Sequence, residues 1–322
     1  MTFKELIDVF LEYKKKRVKD STFYQYNILI NIILNHFDKN LNIKKLTVFQ
    51  IQSFLDSICE THKETSNIIF LNFIKSIISF AVKFDFIPDN QINLKILELI
   101  PKRKTIEDLK EDKEKKNIIY TLSDLDNIFS KIKKVKFEEK FIFYLGLQTG
   151  MRVGEILALT WSDINFNKNT IEITKNYLKN VKKIDIPKTT SSIRTIYISE
   201  ELKEELKYIK QIQNQNKFKY GNKYKREFRN NKELDYVFKR ENGEKITYNF
   251  LLNTLKKIKK IDKNFHFHKL RHSFCSQYLK KGVDVLHVAK ILGHSSINTT
   301  LNIYSHIKNE DIFDIMKNVK IQ

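Results

Sequence analysis

Between His268 and Tyr304 the chain gathers Arg271, four of its eight His and two of its seven Gly, and the stretch ends on a Tyr. No other window is as dense in groups that could handle a phosphate. Phosphodiester cleavage needs a nucleophile, positive groups on the two non-bridging oxygens and an acid for the leaving oxygen. Arginine suits the phosphate because its planar fork donates two parallel charge-assisted bonds and stays protonated at physiological pH. Arg152 and Arg271, from distant segments, could clamp both oxygens. His268 and Arg271, three residues apart on a helix, would share one face. His294 follows Leu292-Gly293, where a glycine ends a helix or lets the backbone approach a ligand. The hydroxyl of Tyr304 would cost about 3.4 kcal/mol to ionise at pH 7.5. Neighbouring Arg or protonated His would lower that cost, and a His could take the proton. His268 and His272 also have the spacing of a zinc pair. However, Lys269 and Arg271 would repel a cation there and no Glu supplies a base, so no metal is expected.

These groups need elements to hold them. The run Gln148-Thr149-Gly150-Met151-Arg152-Val153-Gly154-Glu155 breaks one helix at a Gly and starts another, placing Arg152 in a first turn anchored by Ile156, Leu157, Leu159 and Trp161. Thr121 with Asp124 reads as a capping box opening this region, and helices are expected over 122–133 and 137–148. From 164 to 198 the period changes to two, through Ile171-Glu172-Ile173, Ile184-Asp185-Ile186 and Arg194-Thr195-Ile196-Tyr197-Ile198. This predicts a three-stranded antiparallel sheet whose last turn, 187–192, presents Lys188. Helices resume over 200–212, a polar and basic stretch covers 213–233, and helices return from 247. Ahead of all this, apolar spacing predicts four helices within residues 1–100: 3–19, one capped by Asp20, Ser21 or Thr22, one capped by Thr47, and one over 65–83. Residues 101–117 are too charged to fold alone and read as a linker to a second domain over 118–322. The expected fold is therefore mainly α with a small antiparallel β-sheet, an all-α four-helix domain followed by an α+β domain.

Composition bounds the partner. Lys plus Arg number 59 against 38 Asp plus Glu, a formal charge of +21 spread along the chain, which suits a polyanion. Few of those cations are Arg, in a chain crowded with Lys, Ile and Asn, so the positions where Arg and Gly do occur carry more information than usual. Cys59 and Cys275 fall in different predicted domains, which fits a reducing cytoplasm and no disulfide framework. The charged start is neither a signal peptide nor a membrane span, and no membrane partner is expected.

In order and spacing, these motifs resemble the tyrosine recombinase (phage integrase) family. Thr149-Gly150-Met151-Arg152-Val153-Gly154-Glu155-Ile156 is similar to the segment holding the family's first Arg. His268-Lys269-Leu270-Arg271-His272 resembles its H-x-L-R-H motif, Leu292-Gly293-His294-Ser295-Ser296 its L-G-H segment, and Thr299-Thr300 to Tyr304-Ser305-His306 its nucleophile segment. With the turn at Lys188-Thr189 the resemblance covers 121–310, and the first 100 residues look like the family's core-binding helical domain. It implies that Tyr304 attacks the scissile phosphate to give a 3′-phosphotyrosyl intermediate and a free 5′-hydroxyl. Arg152, Arg271 and His294 would stabilise the transition state, His268 would act in proton transfer, Lys188 would protonate the leaving 5′-oxygen, and Glu155 would brace the first Arg. Lys175, Lys182 and Lys183 compete with Lys188. His272 and His287 are expected to be structural.

The resemblance further implies no cofactor, double-stranded DNA recombination sites as substrate, and a tetramer on two such sites. An amphipathic tail helix over 305–322 would dock on a neighbouring protomer. Nine residues between His294 and Tyr304 point to phage and transposon integrases. The expected lack of an arm-binding domain ahead of the helical region points to the simpler Xer or Cre layout. Two other outcomes of the same fold are a catalytically silent DNA-binding regulator and a topoisomerase-like resolvase.

Overall fold

The structure is a computed structural model. It describes residues 1–100, 118–181, 183–185, 192–294 and 296–304, without the side chains of Ile96, Asn302 and Tyr304. The linker, Lys182, Lys188 and the expected tail helix lie outside the described residues. The chain divides into two compact units, Met1–Glu107 and Asp108–Gln322.

In the first unit α1 (Phe3–Lys15) begins at a Thr2–Glu5 capping box and α3 (Val48–Thr61) at a Thr47–Gln50 box. Each box satisfies two backbone N–H groups that a bare helix end would leave unpaired. The second helix, α2 (Asp20–His36), lacks the expected side-chain cap: Lys19 holds the cap position and Asp20 is already helical. As a first-turn acid, Asp20 still faces the positive end of the helix dipole. The longest of the four, α4 (Glu64–Lys83), has the length and mean hydropathy to cross a bilayer. Here it buries Phe70, Phe73, Ile74, Ile77, Ile78, Phe80 and Ala81 against the other helices. Phe10 of α1 meets Phe73 and Phe80 edge-on at 5.8 and 5.3 Å, the geometry that aromatic quadrupoles favour. The basic run after α1 has a local role as well. Arg17 donates to the Tyr13 carbonyl and stacks 3.9 Å from its ring, closing the helix end.

In the second unit the expected Thr121–Asp124 capping box precedes α5 (Leu122–Ser130). Just upstream, the Tyr120 N–H donates to the Ser273 hydroxyl, and the Gln277 amide donates to the Tyr120 carbonyl. Helix α6 (Phe137–Thr149) stops at Gly150, which sits in the left-handed region at φ 65°. A Cβ there would lie 2.6 Å from Leu292 Cδ2 and 2.8 Å from the Phe274 ring. Both the backbone and the packing therefore exclude larger residues. Gly150→Ala should cost about 2–4 kcal/mol in urea unfolding, the sum of left-handed strain and overpacking. A loss under about 1 kcal/mol would mean that the turn relaxes freely.

After α7 (Val153–Ala158) come β1 (Ile164–Asn165), β2 (Thr170–Ile173), β3 (Asn176–Leu178), β4 (Lys183–Asp185) and β5 (Arg194–Tyr197). They do not form the single sheet that alternation suggests. The first, second and fifth strands make one antiparallel sheet in the order β1-β2-β5, with Ile171 opposite Ile196 and Ile173 opposite Arg194. The third and fourth form a separate hairpin in which Tyr177 faces Ile184. A period of two shows which side chains face the core but not which strand is the neighbour. Ile171, Ile173 and Ile196 are buried, whereas Ile184 only packs at the margin.

Helix α8 (Glu200–Tyr220) runs two turns beyond the expected end. Its extension is tied by Gln213, which accepts from the Trp161 indole at 2.8 Å and donates to the Val237 carbonyl at 2.6 Å. A short hairpin follows, β6 (Phe228–Arg229) with β7 (Lys232–Glu233), turning through Asn230 and Asn231 at positive φ. The last described elements of the unit are α9 (Tyr248–Ile261), α10 (Phe267–Lys280), α11 (Val285–Leu292) and α12 (Ile297–Tyr304). A small apolar cluster of Phe274, Cys275, Leu279, Val288 and Leu292, joined by Ile303, holds these last three helices together.

Candidate active site

Arg152 occupies the cap position of α7. Glu155, one turn on, accepts the Arg152 backbone N–H at 2.8 Å on one carboxylate oxygen and Arg152 Nη1 at 2.8 Å on the other. Its side chain is 2% exposed while that of Arg152 is 36% exposed, so the carboxylate anchors a guanidinium that still reaches solvent. Arg152 Nη2 donates to the Gly293 carbonyl at 3.3 Å. Glu155 thus holds both the backbone and the side chain of Arg152.

Glu155 has a second partner, one that the sequence reading missed. Arg194, at the start of β5, places Nη1 and Nη2 on the two Glu155 oxygens at 3.0 and 2.9 Å and donates Nε to the Ile291 carbonyl at 2.6 Å. Burial pushes the Glu155 carboxyl up. The hydrogen bonds and charge of Arg194, joined by Arg152, outweigh it and hold the group below the usual carboxylate range. Only the scarcity of Arg pointed to residue 194, because strand alternation alone treats it as an edge polar residue.

Arg271 projects from α10 and is 1% exposed. Nη1 donates to the Gly150 carbonyl at 2.8 Å and Nη2 to the Leu292 carbonyl at 2.6 Å. Burial and the nearby Arg152 charge lower its pKa to about 9, with Glu155 opposing, so it stays charged at neutral pH. Nε of this buried group has no hydrogen-bond partner among the described residues.

Helix α11 ends at Gly293 in the left-handed conformation, and His294 follows. His294 Nδ1 shares a 2.7 Å hydrogen bond with the hydroxyl of Thr300, which is fully buried in α12. The ring of His268, on α10, is exposed to solvent on one side and meets His272 edge-on at 4.6 Å. Desolvation first, and then the charges of His272, Arg271 and Arg152, lower its pKa to about 4. Desolvation, followed by Arg271 and Arg152, lowers that of His294 to about 3. Both rings are neutral at pH 7 in the DNA-free chain, free to accept a proton or to hydrogen-bond a phosphate.

The unfolded chain binds protons at these histidines below pH 6.5 while the folded chain does not, so stability rises with pH through that window. Acidification from pH 7 to 5 should therefore lower the melting temperature. DNA should oppose the loss by stabilising the charged rings, and His294→Asn should flatten the slope. A melting temperature that rises toward pH 5 would contradict this electrostatic reading.

The structure thus brings Arg152, Glu155, Arg271 and His294 together at the end of α11, with His268 facing the same charges. Lys188 lies outside the described residues, as does the side chain of Tyr304, whose backbone closes α12. Of the competing lysines, Lys175 is committed to Thr160 and Asp163, each at 2.7 Å. His287 stands exposed at the start of α11, 3.5 Å from Asp284. The two cysteines are unpaired, and burial pushes the Cys275 thiol up to about 11.

A helical unit followed by a mixed unit that directs three arginines and two histidines to one helix terminus, with a tyrosine-ended helix next in the chain, has the layout of an enzyme for nucleic-acid strand transfer. Residues 117–311 match the phage integrase family, and residues 2–58 match the phage integrase N-terminal SAM-like domain. The chain belongs to that family, the tyrosine recombinases, which cleave and rejoin DNA. It is 32% identical over 310 residues to a XerC-like tyrosine recombinase of Caldanaerobacter subterraneus subsp. tengcongensis, covering 90% of this chain and 75% of that one. It is 24% identical to the integrase of Staphylococcus phage L54a, over 95% of this chain and 89% of that one. Its fold is shared with the Tn1549 transposon integrase solved with a circular intermediate DNA. There the TM-score is 0.73 at 20% identity, over 99% of this chain and 100% of that chain.

Proposed function

We propose that this tyrosine recombinase is site-specific, acts on double-stranded DNA sites, and integrates or excises a mobile element or resolves DNA multimers. What carries the reading is the pair Arg152 and Arg271, far apart in sequence, held on the adjacent carbonyls Gly293 and Leu292 beside His294. Two fixed guanidinium groups separated by one peptide unit match the two non-bridging oxygens of one phosphate.

In this reading Tyr304 attacks phosphorus, the 3′-phosphotyrosyl bond forms and the bond to the 5′-oxygen breaks. Arg152, Arg271 and His294 stabilise the charge that develops on the non-bridging oxygens. His268 takes the phenol proton, and Lys188 delivers one to the leaving 5′-oxygen. Glu155 holds Arg152 in place. The phosphotyrosyl bond keeps the energy of the phosphodiester until a 5′-hydroxyl attacks it, so no nucleotide, metal or other cofactor is required. Exchange of strands between two sites calls for four protomers, one for each cleaved strand, in the cytoplasm where the DNA lies.

The test is a nicked duplex carrying the flanking sequence of the element, incubated in EDTA. The nick lets the short 5′-hydroxyl fragment diffuse away and traps the covalent adduct. An adduct stable to denaturant is expected. DNA binding at low salt with no adduct on any flanking sequence would favour the regulator, and a requirement for divalent metal would overturn the mechanism.

A further inference from the structure

Three consecutive carbonyls at the end of α11 each accept from a different arginine: Ile291 from Arg194, Leu292 from Arg271 and Gly293 from Arg152. The next residue is His294. The last carbonyls of a helix have no intrahelical donor and carry the negative end of its dipole, so cations are the natural partners. Here three of them, from three separate elements, are registered against one backbone segment.

We propose that Arg194 is a positioning residue for strand cleavage, fixing Arg152 through Glu155 and the His294 segment through the Ile291 carbonyl. The inference rests on the reading given under Proposed function and deepens it. The Arg194 side chain is 5% exposed. Its fork donates to both Glu155 oxygens and to the carbonyls of Ile291 and Ser192. Each Glu155 oxygen in turn accepts twice, Oε1 from the Nη1 atoms of Arg152 and Arg194, Oε2 from the Arg152 backbone N–H and Arg194 Nη2. The guanidinium of Arg152 is thereby referenced to that of Arg194 across a single carboxylate with no acceptor site left over. A buried pair of this kind is a weak source of stability, because desolvation offsets its Coulomb gain. Its effect is directional.

The pair also balances charge. Around Glu155 stand Arg152 from the α7 cap, Arg194 from β5 and Arg271 from α10, with His268 and His272 of α10 and His294 facing the two site arginines. One carboxylate against three guanidinium groups leaves two positive charges for the phosphate. Removing Arg194 leaves Glu155 buried with only Arg152 as a close partner, so its pKa rises. Once protonated it is neutral and no longer an acceptor on both oxygens, and Arg152 loses its reference.

The full chain and its Arg194→Gln and Arg194→Lys variants are compared in single-turnover attachment to the nicked duplex at saturating protein, from pH 5 to 8.5. DNA affinity and melting temperature are measured alongside. Arg194→Gln should attach about 100-fold more slowly, the scale of a misplaced catalytic group, with affinity within about threefold. The half-point of its acidic limb should lie at least about one pH unit above that of the wild type, which a purely structural loss would not produce. Arg194→Lys should recover part of the rate and part of the shift. If Arg194→Gln fails to fold, the limb of Arg194→Lys decides. Adding Glu155→Gln to either variant should remove the shifted limb. Variants whose pH profiles superimpose on wild type, or whose rate loss equals their loss of affinity or folded fraction, overturn the proposal. A wild type that forms no adduct defeats the underlying reading instead.

Discussion

Tyr304→Phe is expected to abolish covalent attachment to the nicked duplex, a loss of at least about 10⁴-fold, with DNA affinity unchanged within about threefold. The substitution removes one oxygen from a large aromatic ring and leaves the helix-forming and apolar character of the position intact. The adduct, by contrast, is a bond to that oxygen. Arginine cannot act as a nucleophile at this pH, the neutral histidines His268 and His294 would leave a labile phosphoramidate, and the Cys275 thiol is buried with a raised pKa. The assay is a denaturing gel of end-labelled DNA, with a gel shift to confirm binding. A full-strength adduct with the Phe variant would remove Tyr304 from the mechanism.

Arg271→Lys is the second large effect: attachment should fall by about 10³-fold, the range for losing one preorganised donor to a developing oxyanion. Charge is conserved, so a simple Coulomb account predicts little change. The geometry predicts otherwise. Arg271 spans the Gly150 and Leu292 carbonyls with two nitrogens, leaving its Nε edge without a partner among the described residues. An ammonium is a compact point charge without that planar fork. One of the two buried carbonyls would lose its donor, at a cost of about 1–3 kcal/mol in urea unfolding. A lysine variant with wild-type rate would show that Arg271 contributes charge and not direction.

Arg152, His268, Arg271 and His294 stood out as candidates because their neighbours encode local geometry, a glycine ending a helix and three residues separating groups on one helix face, whereas Glu155 entered only through the resemblance to the family. The cap at Thr47 and the capping box at Thr121 were legible for the same reason. Non-local pairing was not. The partner of β2 is β5, across the β3–β4 hairpin, and alternation is the same whichever strand lies alongside. The extra turns of α8 depend on Gln213 meeting Trp161 and Val237, contacts invisible in the polar run around it. Arg194 was missed because its significance lies in Glu155, far away in sequence, and an arginine opening a strand looks like any edge cation.

The way the chain enters its second unit has a mechanical consequence. Tyr120 is bonded through both its N–H and its carbonyl to the middle of α10, the helix that carries His268 and Arg271. Tension applied to the backbone at Tyr120 would therefore reach the helix that carries His268 and Arg271 directly, and through the Tyr120 ring the core around Phe265 as well. This tie and the proposed reacting groups share one helix, so a pull on the first would displace the second.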